Sequence, residues 1–183
     1  MGELDKRFQF KITVIGDGGV GKTSLIQRYT NETFKKNYIK TMAVQLSVYD
    51  KNIKGDNVKL LFWDIAGQDD FNFLRPSFFK NSRAAIIVYS LEDNELGADS
   101  FEHIPDWTKD IHSYCGEIPV VVFANKVDLV DEKKLDISKI AERVKKEKFL
   151  GYFITSAKTG QGVIEAFDTI IDDLYIKNQD IPV

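Results

Sequence analysis

Gly16-Asp17-Gly18-Gly19-Val20-Gly21-Lys22-Thr23 follows the apolar run Phe10 to Ile15 and opens the helical run Ser24 to Tyr29. Its spacing, G-x-x-x-x-G-K-[ST], is that of a loop that cradles phosphate between a strand and a helix. Glycines let the backbone turn through positive φ and come close to a ligand, so that several NH groups point at phosphate oxygens. The helix that begins at Ser24 aims its positive dipole end at the same anion. Lys22 is placed to reach β- and γ-phosphates, and the Thr23 hydroxyl to ligate Mg²⁺. The same letters also fit a glycine-rich turn with an incidental Lys-Thr, so the rest of the chain has to decide.

With 183 residues, 43% hydrophobic and 29% charged, the chain has the size of one domain, 1–183, with a full core. A net charge of −3 gives no reason to expect nucleic acid, whose binders carry a clustered basic excess. The single cysteine, Cys115, leaves no internal disulfide framework and fits a reducing, cytoplasmic compartment. No apolar run nears the roughly 18 residues of a membrane span, and Met1 to Arg7 lacks a signal-peptide core, so a soluble monomer is expected. Gly2 invites a myristoylation check, but Lys6 stands where that pattern wants Ser or Thr. Gln179 to Val183 holds no cysteine to prenylate. Membrane association is therefore not encoded in the visible chain, and a peripheral location would need partners or a missing tail.

Along the chain, Gln9 to Ile15 reads as a first strand, with Phe10, Ile12 and Val14 on one face and Ile15 on the other. A helix to about Tyr29 follows, then an aperiodic, lysine-rich loop from Thr30 to Thr41. Ala43 to Tyr49 alternates, with Val44, Leu46 and Val48 on one face, and Val58 to Trp63 is β-rich. The turn chemistry of Asp50 to Asn57 joins these two into a hairpin. A short helix is expected within Asp69 to Asn81, interrupted or restarted at Pro76. The continuous apolar runs Ala84 to Tyr89 and Val120 to Ala124, and the shorter Tyr152 to Thr155, suit central strands covered on both faces. Helices alternate with them over Ser100 to Ser113, starting or restarting at Pro105, and over Ser138 to Lys148 and Gly162 to Tyr175. The lysines of the second of these alternate with glutamates and read as a solvated face. This alternation implies a mostly parallel α/β sheet with ligands at the carboxyl ends of its strands.

Asn125-Lys126-Val127-Asp128, directly after a strand, reads the base. A carboxylate accepts two hydrogen bonds at fixed separation, so Asp128 matches guanine's adjacent N1 and N2 donors, whereas adenine presents an acceptor at N1. Ser156-Ala157-Lys158, again past a strand, places a backbone NH near guanine O6 and a lysine stem against the ring. Singly, either motif fits a surface turn.

Together with Trp63-Asp64-Ile65-Ala66-Gly67-Gln68, these motifs occur in one order, each at an expected strand end. On these residues the chain resembles the Ras superfamily of small GTPases, most closely the Rab branch, from Phe8 to about Leu174. The resemblance implies a three-layer P-loop GTPase fold, with a six-stranded sheet, one antiparallel strand from the hairpin, and about five helices on both faces. It implies GTP or GDP and Mg²⁺ as ligands. Gly16 to Ser24, Asn125, Lys126, Asp128 and Ser156 to Lys158 would hold the nucleotide. Thr41 would place its hydroxyl on Mg²⁺ beside Thr23 and Asp64, and its NH on the γ-phosphate. Phe34 would lie across the guanine, and Tyr38 would close over the phosphates. Gly67 would sense the γ-phosphate, and Gln68 would orient the attacking water, with Lys22 and Thr41 completing the catalytic set. Gly18 leaves room for that glutamine and for an incoming arginine.

The implied activity is a switch with weak GTPase activity, whose loops at about 34–42 and 64–81 control effector binding in Rab-like trafficking or signalling. Exchange factors, GTPase-activating proteins and effectors are the implied partners, the last through the switch loops and the apolar set Leu46, Trp63 and Phe78. Of the aromatics Phe71, Phe73, Phe78 and Phe79, too many for one short helix to bury, some are expected in the core. Met42-Ala43 replaces the usual Ile-Gly, Leu46 a phenylalanine, and Leu91 to Asp99 is longer than the common connection. His103 and His112 belong to no motif and are taken as helix-surface residues. The rival reading is a nucleotide-bound scaffold that does not cycle, against which Gln68, Thr41 and Gly18 argue. A P-loop kinase or ATPase is a third, disfavoured by N-K-V-D.

Overall fold

A computed structural model describes residues 6–31, 43–67 and 73–179. Strands β1 (Arg7–Ile15), β2 (Val44–Ile53), β3 (Asp56–Ile65), β4 (Ala84–Ser90), β5 (Val120–Asn125) and β6 (Gly151–Ile154) form one sheet in the order β2-β3-β1-β4-β5-β6. Only the β2–β3 pair is antiparallel; β1 runs parallel to β3 and β4, and β4-β5-β6 continue in parallel. Helices α1 (Lys22–Asn31), α2 (Arg75–Phe79), α3 (Glu95–Glu102), α4 (Ile104–Cys115), α5 (Ser138–Glu147) and α6 (Val163–Asn178) cover it.

Alternation along β1 divides the core in two. Phe8, Phe10, Ile12 and Val14 meet Leu25, Ile26 and Tyr29 of α1 and the stripe Val163 to Tyr175 of α6. Ile15 faces the other way, toward Phe79 of α2, Ile104 and Ile111 of α4 and Ile140 of α5. Every residue of β4 and β5 is buried, as their continuous apolar runs require. Each large apolar side chain there contributes about 1.5 to 3 kcal/mol, so the sheet's centre is the most firmly held part of the site's frame.

The hairpin is tighter than the sequence implied. Lys54 (φ 54°) and Gly55 (φ 97°) alone make the turn, both left-handed as a two-residue type I′ connection needs, and Asn52 Oδ1 accepts the Gly55 NH at 3.1 Å. The polar residues from Asp50 to Asn57 are therefore mostly strand. Leu46 and Val48 do share a face, and it is the solvent side, about half exposed; Tyr49 and Ile53 turn to the core.

The helix expected over Ser100 to Ser113 begins earlier and is broken. Asn94 caps α3 by accepting the Gly97 NH at 3.0 Å, so much of the long connection after Leu91 is helical. His103 ends α3 and precedes α4, and Pro105 sits in the first turn of α4, where its missing NH leaves no bond unmade. This restart swings α4 toward the loop that follows β1. No helix among the described residues is long and apolar enough to cross a membrane.

Candidate functional site

The order of the strands leaves β1 between β3 and β4, where the sheet's direction of growth reverses; the crevice for a ligand lies past the carboxyl end of β1. Residues 16–21 fill that place. Gly16 (φ 133°), Gly19 (φ 83°) and Gly21 (φ 102°) are all left-handed. A Cβ on Gly16 would stand 2.1 Å from the Val88 carbonyl oxygen, and one on Gly21 2.3 Å from Asn125 Nδ2, so neither site has room for a side chain. Gly67 is equally confined, since a Cβ there would meet Gly16 O at 2.2 Å and Gly18 N at 2.6 Å. The segment after β3 thus lies backbone to backbone on the loop.

Lys22, first residue of α1, is buried beneath the loop and donates through Nζ to the carbonyls of Gly16 and Asp17, both at 2.7 Å. Burial pushes its ammonium down to about 8, against the opposing pull of Asp64 and then Asp17. Between that value and the unfolded lysine's 10.5, the unfolded chain holds the proton and the folded chain does not. The nucleotide-free protein therefore gains stability as pH rises through that window. Phosphate in the cradle would favour the ammonium again and flatten the slope. Thermal melts at several pH values between 8 and 10, with and without GDP, check both halves of this expectation.

Thr23 and Ser24 stand in the first turn of α1. Thr23 donates from its hydroxyl to the carboxylate of Asp64, which is buried near the end of β3. A hydroxyl beside a carboxylate at the mouth of a phosphate loop is the oxygen-donor set a Mg²⁺ ion takes. Among the described residues no group of three or more His, Cys, Asp or Glu could hold a metal, so such an ion would need phosphate oxygens or water to complete its shell. The residues present fit that arrangement.

At the other end of the crevice, Asn125 closes β5 and is fully buried. Its Nδ2 donates to Val20 O at 2.8 Å, and its Oδ1 accepts the Ala157 NH at 3.2 Å and the Thr155 hydroxyl at 3.3 Å. One side chain thereby locks the phosphate loop to the loop after β6. Lys126 (φ 71°) reverses the chain, and Asp128 follows in a single 3₁₀ turn. Asp128 Oδ1 accepts from the buried Ser156 hydroxyl at 2.6 Å, and Oδ2 lies 3.6 Å from Lys158 Nζ. The Lys158 side chain is otherwise exposed. The N-K-V-D and S-A-K segments, 28 residues apart at Asp128 and Ser156, are thus one site.

Phe34, Tyr38, Thr41 and Gln68 lie outside the described residues, as does Phe71. The apolar set is brought together: Leu46 pairs with Trp63 across the hairpin, and the Trp63 and Phe78 rings are 6.2 Å apart. Phe79 is fully buried, whereas Phe73 is 76% exposed.

Three contacts escaped the sequence reading. His103 is exposed at the end of α3, as expected, but it has a partner: its Nδ1 meets the Asp17 carboxylate at 2.7 Å. Trp107 Nε1 donates to the same carboxylate at 2.8 Å. Lys126 pairs with Glu92, which in turn accepts from the Ser90 hydroxyl at 2.9 Å. His112, unlike His103, is half-buried rather than on the surface, and its Nε2 finds no hydrogen-bond partner among the described residues. Nothing in local spacing announces these contacts. The longer connection after Leu91 was the single visible sign that this flank of the loop is built differently.

Comparison with known proteins agrees with this geometry. Residues 11–176 match the model of the Ras family. The chain belongs to the Ras family of small GTPases, which bind guanine nucleotide and hydrolyse GTP. Within that family it falls in the Rab branch. It is 34% identical over 169 residues to the Ras-related protein Rab-13 of Rattus norvegicus, covering 92% of this chain and 81% of that protein. It is 36% identical over 163 residues to the Ras-related protein Rab-21 of Bos taurus (88% and 71%), and 35% identical to that of Homo sapiens (88% and 70%).

Proposed function

We propose that this chain works as a single domain and a monomeric guanine-nucleotide switch of the Rab kind, loaded with GTP and Mg²⁺ and reset by its own slow hydrolysis. The observation that carries the reading is the Asn125 side chain, which ties the phosphate loop to the loop bearing Ser156 to Lys158 and so sets phosphate and base recognition at a fixed separation. The backbone NH groups of residues 18–23 and the Lys22 ammonium hold the β- and γ-phosphates; Asp128 accepts guanine N1–H and N2–H, and the Ala157 NH reaches O6. Phe34 and Tyr38 cover the base and the phosphates. Thr23, Thr41 and Asp64 would hold Mg²⁺, which would supply positive charge against the phosphates. Gly67 contacts the γ-phosphate through its NH, and Gln68 orients the water that attacks it.

Its output is a conformation: with the γ-phosphate present, segments 34–42 and 64–81 are held against it, and hydrolysis releases them. Effectors read that difference through the switch loops and through Leu46, Trp63 and Phe78. An exchange factor reloads the site, and an activating protein speeds turnover. Displacement of labelled GDP by GTP but not by ATP tests the base reading. Equal displacement by both would return the kinase or ATPase alternative.

Thr23→Ala bears on the metal. The hydroxyl sits at the mouth of the site rather than in the core, so the variant should fold while losing the extra stability that Mg²⁺ adds to the GTP complex. Melting with GTP, with and without Mg²⁺, measures the difference. A variant that gains as much from Mg²⁺ as the parent would remove Thr23 from the metal's shell.

A further inference from the structure

The outer flank of the phosphate loop is gripped from α4. Asp17 offers one carboxylate oxygen to Trp107 Nε1 at 2.8 Å and the other to His103 Nδ1 at 2.7 Å. The opposite face of this arrangement continues outward, because the Arg75 guanidinium lies 4.2 Å from the centroid of the Trp107 ring and pairs with Asp110 at 3.0 Å. Arg75 opens α2, in the second switch segment. One connected set of contacts therefore runs from the phosphate loop through α4 to the second switch, around a cavity of about 410 Å³.

His103 is half exposed, and the Asp17 side chain only 17% so. The charged groups facing the imidazole are Asp17 from the loop, Asp99 from α3 and Asp106 from α4, with Arg75 and Asp110 across the cavity. Three carboxylates outweigh one guanidinium already paired with Asp110. The hydrogen bond that the imidazole makes to the Asp17 carboxylate is the main reason that its pKa stands above its usual value. Asp17 itself belongs to the loop proposed above to hold phosphate, and its own carbonyl accepts from Lys22. A bare carboxylate there repels a nucleotide's phosphates; one capped by an imidazolium does not.

We propose that His103 is a positioning residue for the nucleotide: protonated, it neutralises and fixes the Asp17 carboxylate, so that GDP is held more tightly at lower pH and released faster as pH rises. The inference rests on the assignment of residues 16–23 as the phosphate site. The sign follows from linkage. A histidine whose pKa is raised by its partner gives its full contribution below the unfolded value and loses it as pH climbs through the folded one. A half-exposed pair of this kind changes an equilibrium by about two- to fivefold. By reciprocity, bound GDP raises the proton affinity of His103 by the same factor. Trp107 carries no proton to lose, so its contribution is the same at every pH.

The test uses the full chain loaded with Mg²⁺ and a ribose-labelled fluorescent GDP, chased with excess GDP between about pH 5.5 and 8. The parent should release the probe about two- to fivefold faster at the upper end. His103→Gln keeps a donor of similar reach but no titrating charge, and should release at the parent's high-pH rate throughout. Trp107→Phe keeps the ring under Arg75 and loses the donor; it should release faster everywhere with the parent's pH slope. A proton-NMR titration should show the His103 imidazole shifting to higher pKa when GDP is added. Other groups that titrate in the window, Lys22 and the nucleotide among them, contribute equally to parent and variant and drop out of the comparison. An unchanged pH slope in His103→Gln, or an imidazole indifferent to GDP, would overturn the proposal. If instead the parent fails to bind the probe at any pH, the phosphate-site assignment falls and takes this inference with it.

Discussion

Asp128→Asn binds GTP more weakly than the parent by several kcal/mol, about a hundredfold or more. The carboxylate is set up to receive two donors at once. Ser156 donates to Oδ1 at 2.6 Å and Lys158 approaches Oδ2 at 3.6 Å, which orients the group and leaves a lone pair on each oxygen for the guanine edge. Asparagine cannot satisfy both sides at once. With its oxygen kept on Ser156, its amide NH₂ faces both the Lys158 ammonium and a guanine donor. Flipped, the NH₂ abuts the Ser156 hydroxyl and still confronts one of the two guanine donors. Leaving a buried donor unpaired against another donor is the costly side of hydrogen bonding, and this is why the effect exceeds the worth of a single contact. Competition against labelled GDP measures it, with a thermal melt to show that the variant folds. Unchanged affinity would remove Asp128 from the base site.

Gln68→Leu slows single-turnover GTP hydrolysis by at least about tenfold while leaving GTP affinity nearly as it was, because the side chain is proposed to orient water and not to hold the nucleotide. The parent itself is expected to be slow. No arginine lies between Phe34 and Thr41, where a finger acting in cis would have to sit; that stretch offers Lys35, Lys36 and Lys40. Transition-state charge on the γ-phosphoryl group is then under-stabilised in the isolated protein. The scale is taken from the related Ras system: about 10⁻⁴ to 10⁻³ per second alone, rising about 10³- to 10⁵-fold with an arginine supplied in trans. Gly18, which has no side chain, leaves the approach open for one. Hydrolysis near one per second without a partner, or a leucine variant as fast as the parent, would contradict this.

What could be read from the chain before its structure was known follows a physical divide. Motifs whose chemistry is local were legible. Gly16 and Gly21 must be glycines because Val88 and Asn125 occupy the space a Cβ would need, and the spacing of Lys22 and Thr23 follows from one strand-to-helix turn. Continuous apolar runs marked β4 and β5 because both faces of these strands are covered. The hairpin was misjudged in extent since Asp50, Lys51 and Asn52 lie on an edge strand, where polar residues cost little and look like turn. The start of α3 was missed because Glu95 to Asp99 has few apolar residues to set a period, although Asn94 three residues before Gly97 was a cap signal available to be read. His103, Trp107 and Glu92 act on Asp17 and Lys126 across long stretches of chain, through a helix restart whose direction depends on packing. No periodicity encodes that.

Turnover of GTP is proposed to change the conformation of two segments, 34–42 and 64–81. Hydrogen exchange followed by mass spectrometry, on one sample loaded with Mg²⁺·GTP and sampled as GTP becomes GDP, tests it most directly. Peptides covering residues 34–42 and 64–81 should be protected at the start and lose protection in step with the appearance of GDP, while β4 and β5 stay unchanged. Uptake over those two segments that is the same before and after turnover would contradict the switch and leave a nucleotide-bound scaffold in its place.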